Sequence, residues 1–231
     1  MQLLQRKEVW VPTWQGWAAI VAIPGFVLFL FVTATYPFLA ANEPNGQGYL
    51  VVEGWMSKSQ LGDNIDLLST GEYDAVLVAG GPISQGSYLK ELYPQHETLA
   101  EVGASQFRSL GVENVHAVPR PQVQRDRTYH SGLAIRRWLA EAGTRDARID
   151  VVSLGPHARR SWILFGAALS DVADVGVLAI RPANYDPDRW WATSAGVRTL
   201  LSESIAYCYA KFLFYPDPKA DLRAMLSEGS L

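Results

Sequence analysis

Val151-Val152-Ser153-Leu154-Gly155-Pro156-His157-Ala158-Arg159-Arg160-Ser161 reads as a buried strand, a sharp turn and the first turn of a helix. Ile149 to Leu154 is a short apolar, β-branched run. Gly155-Pro156 breaks it, and proline suits a first helical position. Beyond the turn, Ala158, Trp162, Phe165 and Leu169 recur at helical spacing and predict the buried side of that helix. Arg159 and Arg160 oppose the positive end of the helix dipole, at a cost of roughly 0.3–1 kcal/mol each when exposed. An anion at the carboxyl end of the strand would compensate them, and His157 sits at the same mouth. The plainer alternative is that both arginines point to solvent or pair with nearby acids.

The 231 residues carry a formal net charge of −3 and are 48% hydrophobic, enough for one α/β domain plus an appendage. The near-neutral balance and the lack of a basic run argue against a nucleic-acid partner. Cys208 is the single cysteine, so neither an intrachain disulfide nor a cysteine-based metal site is open to the chain.

No charged residue lies between Glu8 and Glu43. Residues 17–40 are apolar and long enough to cross a hydrocarbon core of about 30 Å, which needs around 20 residues. Pro24-Gly25 within the stretch is tolerated in a membrane helix, and Trp10, Trp14, Trp17 and Tyr36 fit interfacial aromatic belts. A cleaved signal peptide and a buried helix are the rival readings. Against the first, Phe38 or Leu39 would occupy a position that wants a small residue; against the second stands the uncharged length. Arg6 and Lys7 precede the stretch and no Lys or Arg follows until Lys58. The positive-inside bias therefore predicts a single-pass anchor in the plasma (inner) membrane. Residues 1–16 would be cytoplasmic, 17–40 the anchor, 41–48 a polar linker, and 49–231 an extracytoplasmic α/β domain.

Within that domain, Tyr49–Val52, Ala75–Ala79, Val115–Val118, Ile149–Leu154 and Gly176–Ile180 read as strands. Helices are expected at Ser59–Leu68, at Glu97–Leu110, after an Asp126 or Thr128 cap, and after His157. A last helix should be striped by Val197, Leu201, Ile205, Cys208 and Phe212. Ile83–Gln95 and Pro182–Trp191 read as loops. Strands alternating with helices imply a mostly parallel sheet covered on both faces.

Ligands of such sheets bind outside the carboxyl ends of the strands. That rule gathers Glu53, Gly80-Gly81, Arg125 to Thr128 and His157 to Arg160 at one rim. His157 and Glu53 are the candidate catalytic acid and base. Gly80, Gly81, Arg127, Thr128, Arg159 and Arg160 are the candidate ligand-binding residues. The glycines would let backbone amides approach an anion, although an ordinary tight turn explains them equally. The four histidines form no metal-binding pair, and there is no nucleophile elbow, Walker loop or dinucleotide fingerprint. Glu203 lies in an apolar helix, where Glu203, Tyr207 and Lys211 could form its solvent face. No cofactor is indicated.

Taken together, Ala79-Gly80-Gly81, Asp126-Arg127-Thr128 and the His157-x-x-Arg160 turn after a buried strand resemble the YdcF/SanA/ElyC-like family of bacterial envelope-associated proteins. The resemblance covers most of residues 48–214. It departs at Ser131, where the family prefers Asn, and at Gly155 and Pro156 before the histidine. The resemblance implies a Rossmann-like three-layer sandwich with a five-stranded sheet. It also implies a membrane-anchored domain linked, in some relatives, to envelope integrity or peptidoglycan precursor metabolism. Joined to the arginines, glycines and His157 of the rim, it leads to the expectation of a domain that binds, with or without turnover, a phosphorylated or lipid-linked cell-envelope precursor. A non-catalytic module for a nucleotide-like or S-adenosylmethionine-like ligand, or for a protein partner, is the alternative.

Overall fold

The computed structural model describes residues 9–57, 59–60 and 71–228. The described residues fall into two compact units, those up to Thr35 and those from Tyr36 onward. The first holds most of α1 (Trp14–Leu39), an apolar helix long enough to span a membrane.

The second unit is built on a five-stranded sheet of order β3-β2-β1-β4-β5, formed by β1 (Gln47–Glu53), β2 (Glu72–Gly80), β3 (Val115–Pro119), β4 (Ala147–Leu154) and β5 (Ala173–Ile180). Every neighbouring pair is parallel. All five strands match the sequence reading within three residues at their ends.

Side chains alternate across the sheet, as a period of two requires. Val51, Leu77, Ile149 and Val151 face α4 (Arg127–Glu141), α5 (Ala158–Leu169) and α7 (Pro218–Glu228), which contribute Leu133, Ile135, Leu139, Phe165, Leu169 and Met225. Leu50, Val52, Val76, Val78 and Val152 face the other way, onto Ala104 and Phe107 of α3 (Leu99–Ser109). The result is the expected Rossmann-like three-layer arrangement. A five-residue helix, α2 (Tyr88–Leu92), interrupts the loop expected at Ile83–Gln95, and a short 3-10 segment (Pro187–Ala192) interrupts the one at Pro182–Trp191. The expected helix at Ser59–Leu68 falls mostly outside the described residues.

Three expectations are corrected. Residues 41–48 are not a free linker. Asp150, fully buried, accepts bonds from the Asn45 and Gly46 amides at 2.7 and 2.8 Å and from the Tyr73 hydroxyl at 2.7 Å. Glu43 pairs with Val177 across the outer edge of β5, at N–O distances of 2.9 and 3.0 Å, so that edge is covered rather than open. Leu39 and Ala41 are buried as well.

The last-helix stripe is the second correction. In α6 (Ser194–Phe212), Leu201, Ile205, Cys208 and Phe212 are exposed. The packed side carries Leu200, Ala210 and the Glu203 carboxylate, because Glu203 finds charged partners on the body of the domain and the apolar stripe does not.

The third correction is the cap of α4. Asp126 occupies the N-cap position with left-handed φ 53° and ψ 37°, and its side chain makes no capping bond. The Thr128 hydroxyl points instead to Glu53.

Candidate functional site

The sheet order places a switch between β1 and β4, and the crevice there is a pocket of about 650 Å3 at the carboxyl edge. Of the eight residues singled out from the sequence, Glu53, Gly80, Gly81, Arg127, Thr128, His157 and Arg160 line it. Arg159 does not. Its guanidinium lies 4.2 Å from the centre of the Phe38 ring and donates to the Phe38 carbonyl, so it is engaged at the end of α1. The reason is geometric, since successive helical positions differ by about 100° and Arg159 and Arg160 cannot share a face.

Glu53 ends β1 with its carboxylate buried. Oε2 accepts the hydroxyls of Ser153 at 2.9 Å and Ser161 at 3.1 Å, and Oε1 faces the Thr128 hydroxyl at 3.5 Å. His157 Nε2 stands 3.4 Å from Oε2. Burial pushes the Glu53 carboxyl up. The charge and hydrogen bond of His157, with the two serine hydroxyls, outweigh burial and bring it below its usual range.

His157 closes the 3-10 turn Gly155–His157 that joins β4 to α5. Its Nδ1 lies 3.1 Å from Glu203 Oε1. Burial favours the neutral ring, but the Glu53 charge and the bonds to both carboxylates prevail over burial and over the opposing Arg160, raising the pKa to about 9. Glu203 in turn receives Arg160 Nε at 2.8 Å on Oε2 and Nη2 at 3.1 Å on Oε1. Burial raises its pKa, and the bonds and charges of His157 and Arg160 overcome that, leaving it at about 2.

Arg160 Nη2 also lies 2.8 Å from His157 Nδ1. The imidazolium donates from both nitrogens, to Glu53 and Glu203, and Nη2 then serves Glu203. In the neutral ring Nε2–H donates to Glu53, and Nδ1 accepts from Nη2. The array therefore stays bonded whether or not His157 holds its second proton, which lets the ring give up and regain a proton without orphaning a buried group.

The two glycines do different jobs. A Cβ on Gly80 would come within 2.5 Å of the Ala100 backbone nitrogen, so Gly80 is required where α3 starts against the sheet. A Cβ on Gly81 would lie 2.5 Å from the Arg120 Cζ, so Gly81 makes room for a guanidinium. Both roles are packing within the chain rather than an open amide cradle.

Sequence reasoning missed Arg120, Ser153 and Ser161 as members of the site, and singled out Glu203 as an exception in an apolar helix without assigning it to the site or to the solvent face. The available signals were slight: an arginine between two prolines after β3, serines flanking the turn in an otherwise apolar strand, and a lone acid in an apolar helix. Among the described residues no group of three or more His, Cys, Asp or Glu side chains is placed to hold a metal ion. Compared with protein-family models, with curated proteins and with solved structures, the chain gives no match.

Proposed function

We propose that this chain is a membrane-anchored protein whose α/β domain lies outside the cytoplasm and binds, and acts on, a phosphorylated or lipid-linked cell-envelope precursor. The observation that carries the reading is His157, bonded between two buried carboxylates at the wall of a pocket lined also by Arg120, Arg125, Arg127 and Arg160. A histidine whose proton is held near pH 9 is a general acid at neutral pH, and an arginine-rich wall suits an anionic substrate. The envelope setting rests on the sequence resemblance. The single crossing and its orientation rest on the apolar α1 and on Arg6 and Lys7 before it.

A second reading, a binding module without turnover, is favoured by one feature. Both ring nitrogens of His157 and both oxygens of Glu53 already face partners within the chain. Its ligand would be nucleotide-like or S-adenosylmethionine-like, though an extracytoplasmic domain has little access to the latter.

Mass spectrometry of what co-purifies with the full chain separates the two. A polyprenyl phosphate supports the first reading, and an adenosyl compound supports the second. A reporter fused after Leu231 that is active only in its cytoplasmic form would overturn the orientation. With a substrate in hand, His157→Ala abolishes turnover under the first reading and leaves binding nearly intact under the second.

A further inference from the structure

Of the three arginines that the sequence offers to an anion, Arg160 is engaged by Glu203 and Arg159 by Phe38. The third, Arg127, lines the pocket beside Arg120 and Arg125, and among the described residues none of these three pairs with a carboxylate. Arg120 is 9% exposed and lines the pocket. Its Nη1 donates to the Pro121 carbonyl at 2.9 Å, while its Nε has no hydrogen-bond partner among the described residues. Among the described residues no carboxylate pairs with it, and its charged neighbour is Arg127, of like sign. Arg125 and Arg127 are exposed at the same wall. A buried guanidinium without a counter-charge is costly unless something arrives to neutralise it.

A second feature converges on the same place. Arg127 opens α4, whose first-turn amides have no intrahelical acceptors. Asp126 makes no cap, and the Thr128 hydroxyl is turned to Glu53. Gly81 lacks the Cβ that would push the Arg120 guanidinium out of its slot.

We propose that Arg120, Arg127 and the uncapped first turn of α4 form the anion subsite of this pocket, and that its ligand group is a phosphoryl group. The proposal rests on the anionic-ligand reading above and changes where the anion binds. A phosphoryl group offers three terminal oxygens, which matches the donors waiting there: the Arg120 Nε and remaining N–H groups, the Arg127 fork and the helix amides. A carboxylate, with two oxygens, leaves part of that set unsatisfied. The group can be carried by a membrane lipid or by a soluble molecule.

The test uses the full chain in detergent micelles, titrated by calorimetry with inorganic phosphate and, separately, with phosphatidic acid in the micelle. Saturable binding of phosphate marks a soluble source, and binding of phosphatidic acid alone marks a lipid-borne one. Either is expected to weaken tenfold or more in Arg127→Ala, an exposed position, and in Arg120→Met. Gly81→Ala displaces the same guanidinium and should act likewise, while Arg159→Ala leaves the titration unchanged. Circular dichroism confirms that each variant is folded. The proposal is overturned if neither ligand binds saturably, or if binding is indifferent to both Arg127→Ala and Gly81→Ala. A co-purifying adenosyl compound without phosphate would defeat the envelope reading and leave this titration to be judged separately.

Discussion

Glu53 and His157 meet at the carboxyl edge of the sheet, with Nε2 3.4 Å from Oε2, although one ends β1 and the other follows β4. Each perturbs the other, Glu53 holding the imidazolium and His157 holding the carboxylate. Replacing Glu53 by Gln keeps the shape and removes the charge. The His157 pKa should fall from about 9 towards its ordinary value, and stability should drop by about 1–3 kcal/mol. Titration of the His157 ring by NMR and urea unfolding measure the two effects. An unmoved His157 pKa would show that Glu203 alone sets it.

The pH dependence of stability follows from the two shifts. The His157 pKa is raised from 6.5 to about 9, so its contribution is fully present below about pH 6.5 and is lost as pH rises through about 9. The Glu203 pKa is lowered from 4.5 to about 2, so its contribution is present above about pH 4.5 and is lost as pH falls through about 2. For these two groups stability should be greatest between about pH 4.5 and 6.5. Thermal midpoints of the native chain and of His157→Gln, measured from pH 3 to about 10, should converge at the alkaline end. Parallel curves there would contradict the assignment.

Arg160 and Glu203 should behave as a coupled pair. Two contacts, at 2.8 and 3.1 Å in a largely buried setting, predict a double-mutant coupling of about 1 kcal/mol or more between Arg160→Ala and Glu203→Ala. Denaturant unfolding of the four proteins measures it. Additive losses would mean that the pair only coexists.

Adjacent glycines should respond differently. Gly80→Ala drives its Cβ into the α3 backbone and should cost about 1–3 kcal/mol or more. Gly81→Ala meets only the far end of the Arg120 side chain, which can move, so the thermal midpoint should change little. Equal destabilisation by the two would show that Arg120 is fixed in place by more than the pocket wall.

The boundary of the domain can be tested by truncation. A fragment starting at residue 42 loses buried Leu39 and Ala41, whereas one starting at Tyr36 keeps them. Burying a leucine is worth about 1.5–3 kcal/mol, so the longer fragment should unfold at higher urea. Coincident transitions would mean that the segment contributes nothing to the domain.

The strand-turn-helix at Ile149 to Leu169, the five strands and the carboxyl-edge rim were legible in the chain. Each depends on residues close in sequence, through alternation, helical spacing and the turn chemistry of Gly155-Pro156. Six of the seven rim residues other than Glu53 followed from the same rule, and Glu53 was placed by it as well, though not its burial among Ser153, Ser161 and His157. What only the tertiary structure decided was which way each side chain turns. Leu201, Ile205, Cys208 and Phe212 recur at helical spacing, yet α6 turns them outward. The choice lies in partners far along the chain, since Glu203 meets His157 and Arg160 across the pocket. Arg159 and Arg160 look equivalent in sequence, and the position of Phe38 takes one of them while Glu203 takes the other. Periodicity is a property of the local backbone, but the free energy of a buried charge is set by whatever the fold brings beside it.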